Sequence, residues 1–198
     1  LIKLGITGGI GSGKSKAGEI FKKHGAIVLD SDKIVNDLLK KENEGYKRIL
    51  NLFGKNILNE KGEIDRKRLS SIIFSDFSKR KALEDLLHPL VIKRREKIFS
   101  DIKVLLSKKD IVVAEAALIF EANTKKYFDY VVLVKAPKEI RIERLLKRGL
   151  NISEIEERMR VQWEDEKKEK LADFVIDNSS TLQHLEDQIV KIIQKIKE

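Results

Sequence analysis

Residues 5–16 read GITGGIGSGKSK, and Gly8, Gly9, Gly11 and Gly13 stand around a lysine and a serine with the spacing G-x-x-x-x-G-K-[ST]. A strand candidate, Ile2 to Thr7, precedes them and a helix candidate follows, which is the context a phosphate-binding loop requires. Glycine lets successive backbone N–H groups curl around phosphate oxygens with no Cβ in the way, while the new helix turns its positive end to the same anion. Lys14 then supplies a point charge to β and γ phosphates and Ser15 a hydroxyl ligand for Mg²⁺. The turn is expected to hold a triphosphate. Such a loop alone does not separate a kinase from a switch or a motor.

Acids follow at places where a phosphoryl acceptor could be handled. AIVLDSD puts Asp30 and Asp32 at the carboxyl end of a second strand candidate, expected beside the loop strand in a right-handed βαβ unit. Positions two apart on extended chain share a side, and ligands of a parallel sheet bind off its carboxyl ends. Asp32 is therefore the candidate base that orients an alcohol and takes its proton. The same DSD suits a helix N-cap before KIVNDLL, which would account for one of the two acids. In DIVVAEAALIFE, Glu115 stands where a carboxylate holds the hydration shell of Mg²⁺, or is a plain strand-end acid, and Glu121 could cap or line the acceptor pocket.

Downstream, RIERLLKRG and ERMRVQ carry Arg141, Arg144, Arg148, Arg158 and Arg160, guanidinium forks that a closing lid could bring to the transferring phosphoryl. Arg144 and Arg148 are one helical turn apart and can face the same way; ordinary helix solvation accounts for at least two of the five. Pro89, after His88, is expected to end one helix or begin the next, and a lone histidine there reads as structural. Asp177-Asn178-Ser179 follows the last strand candidate as a turn or a base-contacting loop.

The elements that must position these residues alternate. Short Ile- and Val-rich runs at Ile2 to Thr7, Ala26 to Leu29, Ile111 to Ala114, Tyr130 to Val134 and Phe174 to Ile176 read as strands. Helical spacing covers Ala17 to Lys23, Lys33 to Lys41, Pro137 to Lys147, Ser153 to Lys170 and Leu182 to Lys197. This predicts an α/β fold, a parallel sheet with helices on both faces. The roughly eighty residues between the second and third strand candidates lack strand character and read as a helical insertion. Helix Ser153 to Lys170, charged almost all round, reads as a mobile cover.

Composition narrows the class. The 198 residues, 41% hydrophobic, suit one main core. No cysteine means no disulfide, thiolate metal site or cysteine nucleophile, and a reducing cytoplasm is the expected home. No signal peptide or apolar span is read, although Leu1 stands where an initiator Met is expected. The net charge of +9 is interleaved with acids, as in KKENEGYKR, so a solvated surface or a small polyanionic substrate is expected, not nucleic acid.

Across its whole length the chain resembles the dephospho-coenzyme A kinase family: GITGGIGSGKS, DSD, LHPLV, ALIFE, RLLKRG to RVQ, and ADFVIDNSS occur in order. The resemblance implies ATP- and Mg²⁺-dependent phosphorylation of the ribose 3′-hydroxyl of dephospho-coenzyme A, on a P-loop kinase fold with a five-stranded parallel sheet. It divides one domain, 1–198, into a nucleotide core (about 1–41, 109–147 and 171–198), a helical acceptor-binding insertion (about 42–108) and a lid (about 148–170). Gly9, Gly11, Ser12, Gly13, Lys14, Ser15 and Lys16 would hold ATP with Asn178; Asp32, Lys14, Arg144 and Arg148 would be catalytic. Asp32, His88, Leu118, Phe120 and Glu121 would line or support the acceptor site, and Ser15 and Glu115 would serve the metal. Three positions depart from the family pattern: Lys16 replaces a threonine, Ala117 a proline, and Glu115 a commoner aspartate. Two alternatives remain, one within the same kinase class and one outside it. A nucleoside monophosphate or shikimate-type kinase would share the loop but not the DSD and LHPLV pair, and a nucleotide-gated binding module would yield no phosphorylated small product.

Overall fold

Leu4 and Ile6 alternate with Gly5 and Thr7 along the first strand candidate, and both sets are buried, so this strand has to lie inside a sheet covered on two faces. The computed structural model describes the backbone of residues 1–198 and all side chains except those of Phe74 and Ser75. Its five strands are β1 (Ile2–Thr7), β2 (Ile27–Asp30), β3 (Ile111–Glu115), β4 (Tyr130–Lys135) and β5 (Phe174–Asp177). All neighbours are parallel, in the order β2-β3-β1-β4-β5. β3 thus lies between β1 and β2, which corrects the expectation that the second strand adjoins the first. Ile111 to Ala114 form a continuous buried run, which suits a position paired on both edges better than the half-exposed β2 does.

On one face, α1 (Lys14–Lys23) and α9 (Leu182–Lys197) close over the sheet. Ala17, Ile20, Phe21, Leu185 and Ile189 pack there with Leu4, Ile6, Val113, Val132 and Ile176. Each fully buried valine, leucine, isoleucine or phenylalanine side chain here contributes about 1.5–3 kcal/mol. On the other face, Ile119 and Phe128 press on Gly5, where a Cβ would come within 2.8 Å of Ile119 Cδ1.

After the sheet's fourth strand come α6 (Lys138–Leu146), α7 (Ile152–Arg160) and α8 (Asp165–Glu169). The single helix expected over Ser153 to Lys170 is two helices. Asn151 and Glu154 form a capping box that starts α7. The ladder then breaks after Arg160, where the Trp163 N–H donates to the Glu121 carboxylate. Nor is this region a wholly solvated cover, since Ile155 and Lys168 are 0% exposed.

Residues Ser31–Val104 form a second compact unit, and Leu1–Asp30 with Leu105–Glu198 the first. The second holds α2 (Ser31–Leu38), α3 (Glu44–Phe53), α4 (Arg66–Ser75) and α5 (Phe77–Lys103), the last three gathered around Ile49, Ile57, Leu69 and Leu83. α2 packs on α3 and α5 within this unit. Pro89 neither ends nor begins a helix; it lies inside α5. A proline there gives up one N–H and crowds the preceding turn. Buried Leu83, Leu90 and Phe99 on either side hold the helix through it. Among the described residues no helix is long and apolar enough to cross a membrane.

Candidate active site

Between β1 and α1 the chain turns on Gly8, Gly11 and Gly13, whose φ angles are 153°, 79° and 98°. These are left-handed values that glycine alone adopts without strain. Gly13 is also the N-cap of α1, and a Cβ on it would strike the Asn178 amide. No side chain caps this helix end and no acid lies in its first turn. The positive end of a ten-residue helix is thereby left to an anion. Ser15 and Lys16 are exposed here, and Lys16 Nζ pairs with Glu19 at 2.8 Å. Ser12 is buried, and its hydroxyl has no hydrogen-bond partner among the described residues.

Cationic side chains hold the loop by its carbonyls. Lys14 Nζ donates to Gly8 O at 2.9 Å and Gly9 O at 3.1 Å. Arg141 Nε donates to Ile10 O at 2.9 Å, and Arg144 Nη1 to Gly11 O at 3.5 Å and Ser12 O at 3.4 Å. Every carbonyl from Gly8 to Ser12 thus receives a hydrogen bond from a lysine or arginine. Donors loaded on the carbonyl side polarise the peptides and strengthen their N–H groups as donors in turn. Concentrated positive charge also draws a small polyanion. Asn178, buried beside this collar, donates through Nδ2 to Ser12 O at 2.8 Å and accepts at its own carbonyl from Arg144 Nη2 at 2.9 Å. Its side chain supports the loop.

Glu115 ends β3, in register with Ile6 of β1 and Asp30 of β2. Glu115, not Asp30, therefore flanks the strand that feeds the loop. Its carboxylate lies against α1, for a Cβ on Gly18 would collide with Oε1. Ser15 and Glu115 offer a hydroxyl and a carboxylate, hard oxygen donors of the kind Mg²⁺ takes in ones and twos while keeping water. No group of three or more His, Cys, Asp or Glu among the described residues could hold a metal ion. The pair fits an ion that completes its shell from water and nucleotide phosphate.

The remaining candidates are distributed differently. Asp32 is exposed in the first turn of α2, so the extended-chain argument that set it beside Asp30 does not apply: Asp30 ends a strand and Asp32 is helical. His88 is half-buried on α5. Leu118 is half-buried, Phe120 is 6% exposed, and Glu121 pairs with the buried Lys168 at 2.8 Å. Arg148 is exposed beyond α6 and makes no side-chain hydrogen bond or ion pair among the described residues. It is Arg141 that joins Arg144 at the loop, and it also donates to Asp165 Oδ2 at 3.3 Å. Burial pushes the Asp165 carboxyl above its ordinary value, against the opposing pull of Arg141 and Lys168. The Ile10 N–H donates to Gln162 Oε1 at 2.7 Å. The i,i+3 spacing of Arg141 and Arg144 could have revealed their shared face. Nothing local marks Gln162 or Asp165.

A family model described as dephospho-CoA kinase (CoaE) matches residues 2–184. A dephospho-CoA kinase from Aquifex aeolicus is 38% identical, over 98% of this chain and 97% of its own. Among solved structures, TT1252 from Thermus thermophilus aligns with a TM-score of 0.82 at 32% identity, over 98% of this chain and 96% of that one. A dephospho-CoA kinase from Campylobacter jejuni aligns with a TM-score of 0.68 at 30% identity over the same shares. On this full-length agreement, built around a cationic phosphate loop at the carboxyl end of a parallel sheet, the chain belongs to the dephospho-CoA kinase family.

Proposed function

We propose that this protein transfers the γ-phosphoryl group of ATP to the ribose 3′-hydroxyl of dephospho-CoA, giving CoA and ADP in the last step of CoA synthesis. The observation that carries the reading is the loop whose carbonyls from Gly8 to Ser12 rest on Lys14, Arg141 or Arg144, an arrangement that leaves loop N–H groups such as that of Gly11, together with the α1 terminus, for phosphate. With nucleotide bound, Lys14 leaves the Gly8 and Gly9 carbonyls for the β and γ phosphates. Arg144, joined from the lid side by Arg148, meets charge on the transferring group. Ser15 and Glu115 would hold Mg²⁺, whose charge when bound offsets that of the phosphate oxygens.

Asp32 orients the 3′-hydroxyl and accepts its proton as the oxygen attacks in line. His88 in the helical unit and the Leu118 to Glu121 segment line or support the acceptor site, Phe120 from within the core. The helical insertion binds the acceptor and residues 148–170 act as the lid. The cytoplasm, where ATP is supplied, is the proposed compartment.

Incubation with ATP, Mg²⁺ and dephospho-CoA should yield a product heavier by one phosphate, placed on the ribose 3′ oxygen by phosphorus–proton coupling. Phosphorylation of nucleoside monophosphates or shikimate in its place would reassign the acceptor. ATP turnover with no phosphorylated small product would favour a nucleotide-gated module.

A further inference from the structure

The segment between α7 and α8 reaches the tip of the phosphate loop through a residue given no part in the transfer. Gln162 Oε1 accepts the Ile10 N–H at 2.7 Å, while Arg141 Nε donates to the carbonyl of the same residue at 2.9 Å. Ile10 is held at both of its backbone groups. We infer that Gln162 is a positioning residue of the phosphate loop, fixing the peptide before Ile10 so that the donors after it face the nucleotide. The inference deepens the ATP-loop reading and rests on it.

The geometry follows from planarity. In a trans peptide the N–H and C=O point to opposite sides. An acceptor on the Ile10 N–H therefore turns the Gly9 carbonyl the other way, where Lys14 Nζ and the Ser12 N–H both meet it at 3.1 Å. Arg141 on the Ile10 carbonyl likewise directs the Gly11 N–H away from itself. Two adjacent peptides are thus locked in opposite senses, which selects Gly11 and not Ile10 as a donor to phosphate.

Gln162 is itself well anchored. The next N–H, that of Trp163, donates to Glu121 Oε1 at 3.0 Å, and the same oxygen lies 2.8 Å from the fully buried Lys168 Nζ. Three residues on, Asp165 receives Arg141. Gln162 also borders a cavity of about 440 Å³ shared with Ile155, Met159 and Trp163. Replacing it opens onto existing space and does not create a void in a packed core.

Gln162→Met keeps length and volume but removes the acceptor. A neutral hydrogen bond of this kind corresponds to about a threefold to tenfold change in affinity. The ATP dissociation constant and KM should rise by that factor, with kcat and the dephospho-CoA KM nearly unchanged, as for lost uniform binding. Amide exchange at Ile10 should quicken in Gln162→Met and in Gln162→Ala, and stay slow in Gln162→Glu, which retains an acceptor oxygen. A folded Gln162→Met or Gln162→Ala protein with native Ile10 exchange and native ATP affinity overturns the inference. So does a change confined to the dephospho-CoA KM. ATP affinity and Ile10 exchange are read without turnover, so failure of the acceptor assignment leaves this test intact.

Discussion

Two substitutions separate the tasks of the carboxylates. Asp32 is exposed in the first turn of α2. Asp32→Asn should therefore leave the fold and ATP binding nearly unchanged while turnover drops by roughly 10²- to 10⁴-fold, the usual contribution of a positioned base. Near-native turnover with dephospho-CoA would remove Asp32 from that role. Glu115 is tested from the opposite side, at Gly18. Alanine there should favour the helix by about 1 kcal/mol, since Gly18 lies in α1 with an ordinary backbone angle. The added methyl nevertheless meets the Glu115 carboxylate, the movable end of a flexible side chain. The carboxylate should shift and the fold persist. Gly18→Ala is thus expected to keep its melting temperature and to need several-fold more Mg²⁺ for half-maximal turnover. An unaltered Mg²⁺ dependence would mean that this carboxylate does not serve the ion.

The short helix α8 behaves as a strut, and its buried acid gives it a pH signature. Asp165 is half-buried, and its carboxyl titrates above the ordinary 3.8 because burial disfavours the charge more than Arg141 favours it. A raised native pKa means that protonation stabilises the folded state: the contribution is complete below pH 3.8 and is lost as pH rises through the native value. Asp165→Asn carries no such titration. Denaturant unfolding should therefore show wild type gaining on the variant as pH falls across that window, and a gap independent of pH would refute the buried-carboxyl account. This element also marks where the sequence stopped being informative. Strands β1 to β5 were legible to within a residue or two because apolar runs of Ile and Val report burial directly, and the GKS loop was legible because its glycines answer a local backbone demand. Residues 161–164 were not. Their helix ends through the Trp163 N–H bond to Glu121, a partner 42 positions away, and charge periodicity carries no trace of it. Asn178 likewise follows a strand and looks like any turn residue until Ser12 O is found beside it. Pro89 misled for the converse reason: its local rule is sound, but tertiary packing of α5 outweighs it.

At the scale of the molecule the chain forms two compact units that carry different candidate residues. Residues 1–30 and 105–198 carry the phosphate loop, its arginine collar and Glu115; residues 31–104 carry Asp32 and His88. The net charge of +9 suits two polyanionic substrates without distinguishing them, so the division has to be tested by ligand. A ligand that binds only the native state stabilises it by about 2.7 kcal/mol at a hundred times its dissociation constant. Amide groups that open locally in the free protein should become slower to exchange chiefly in the unit that holds the ligand. ATP is expected to slow exchange around Gly8 to Ala17 and through the α6 to α8 region. Dephospho-CoA added alone should slow it within residues 31–104, at α2 and around His88. If dephospho-CoA protects only residues 1–30 and 105–198, the helical unit is not its binding platform, and Asp32 loses the acceptor it is meant to orient.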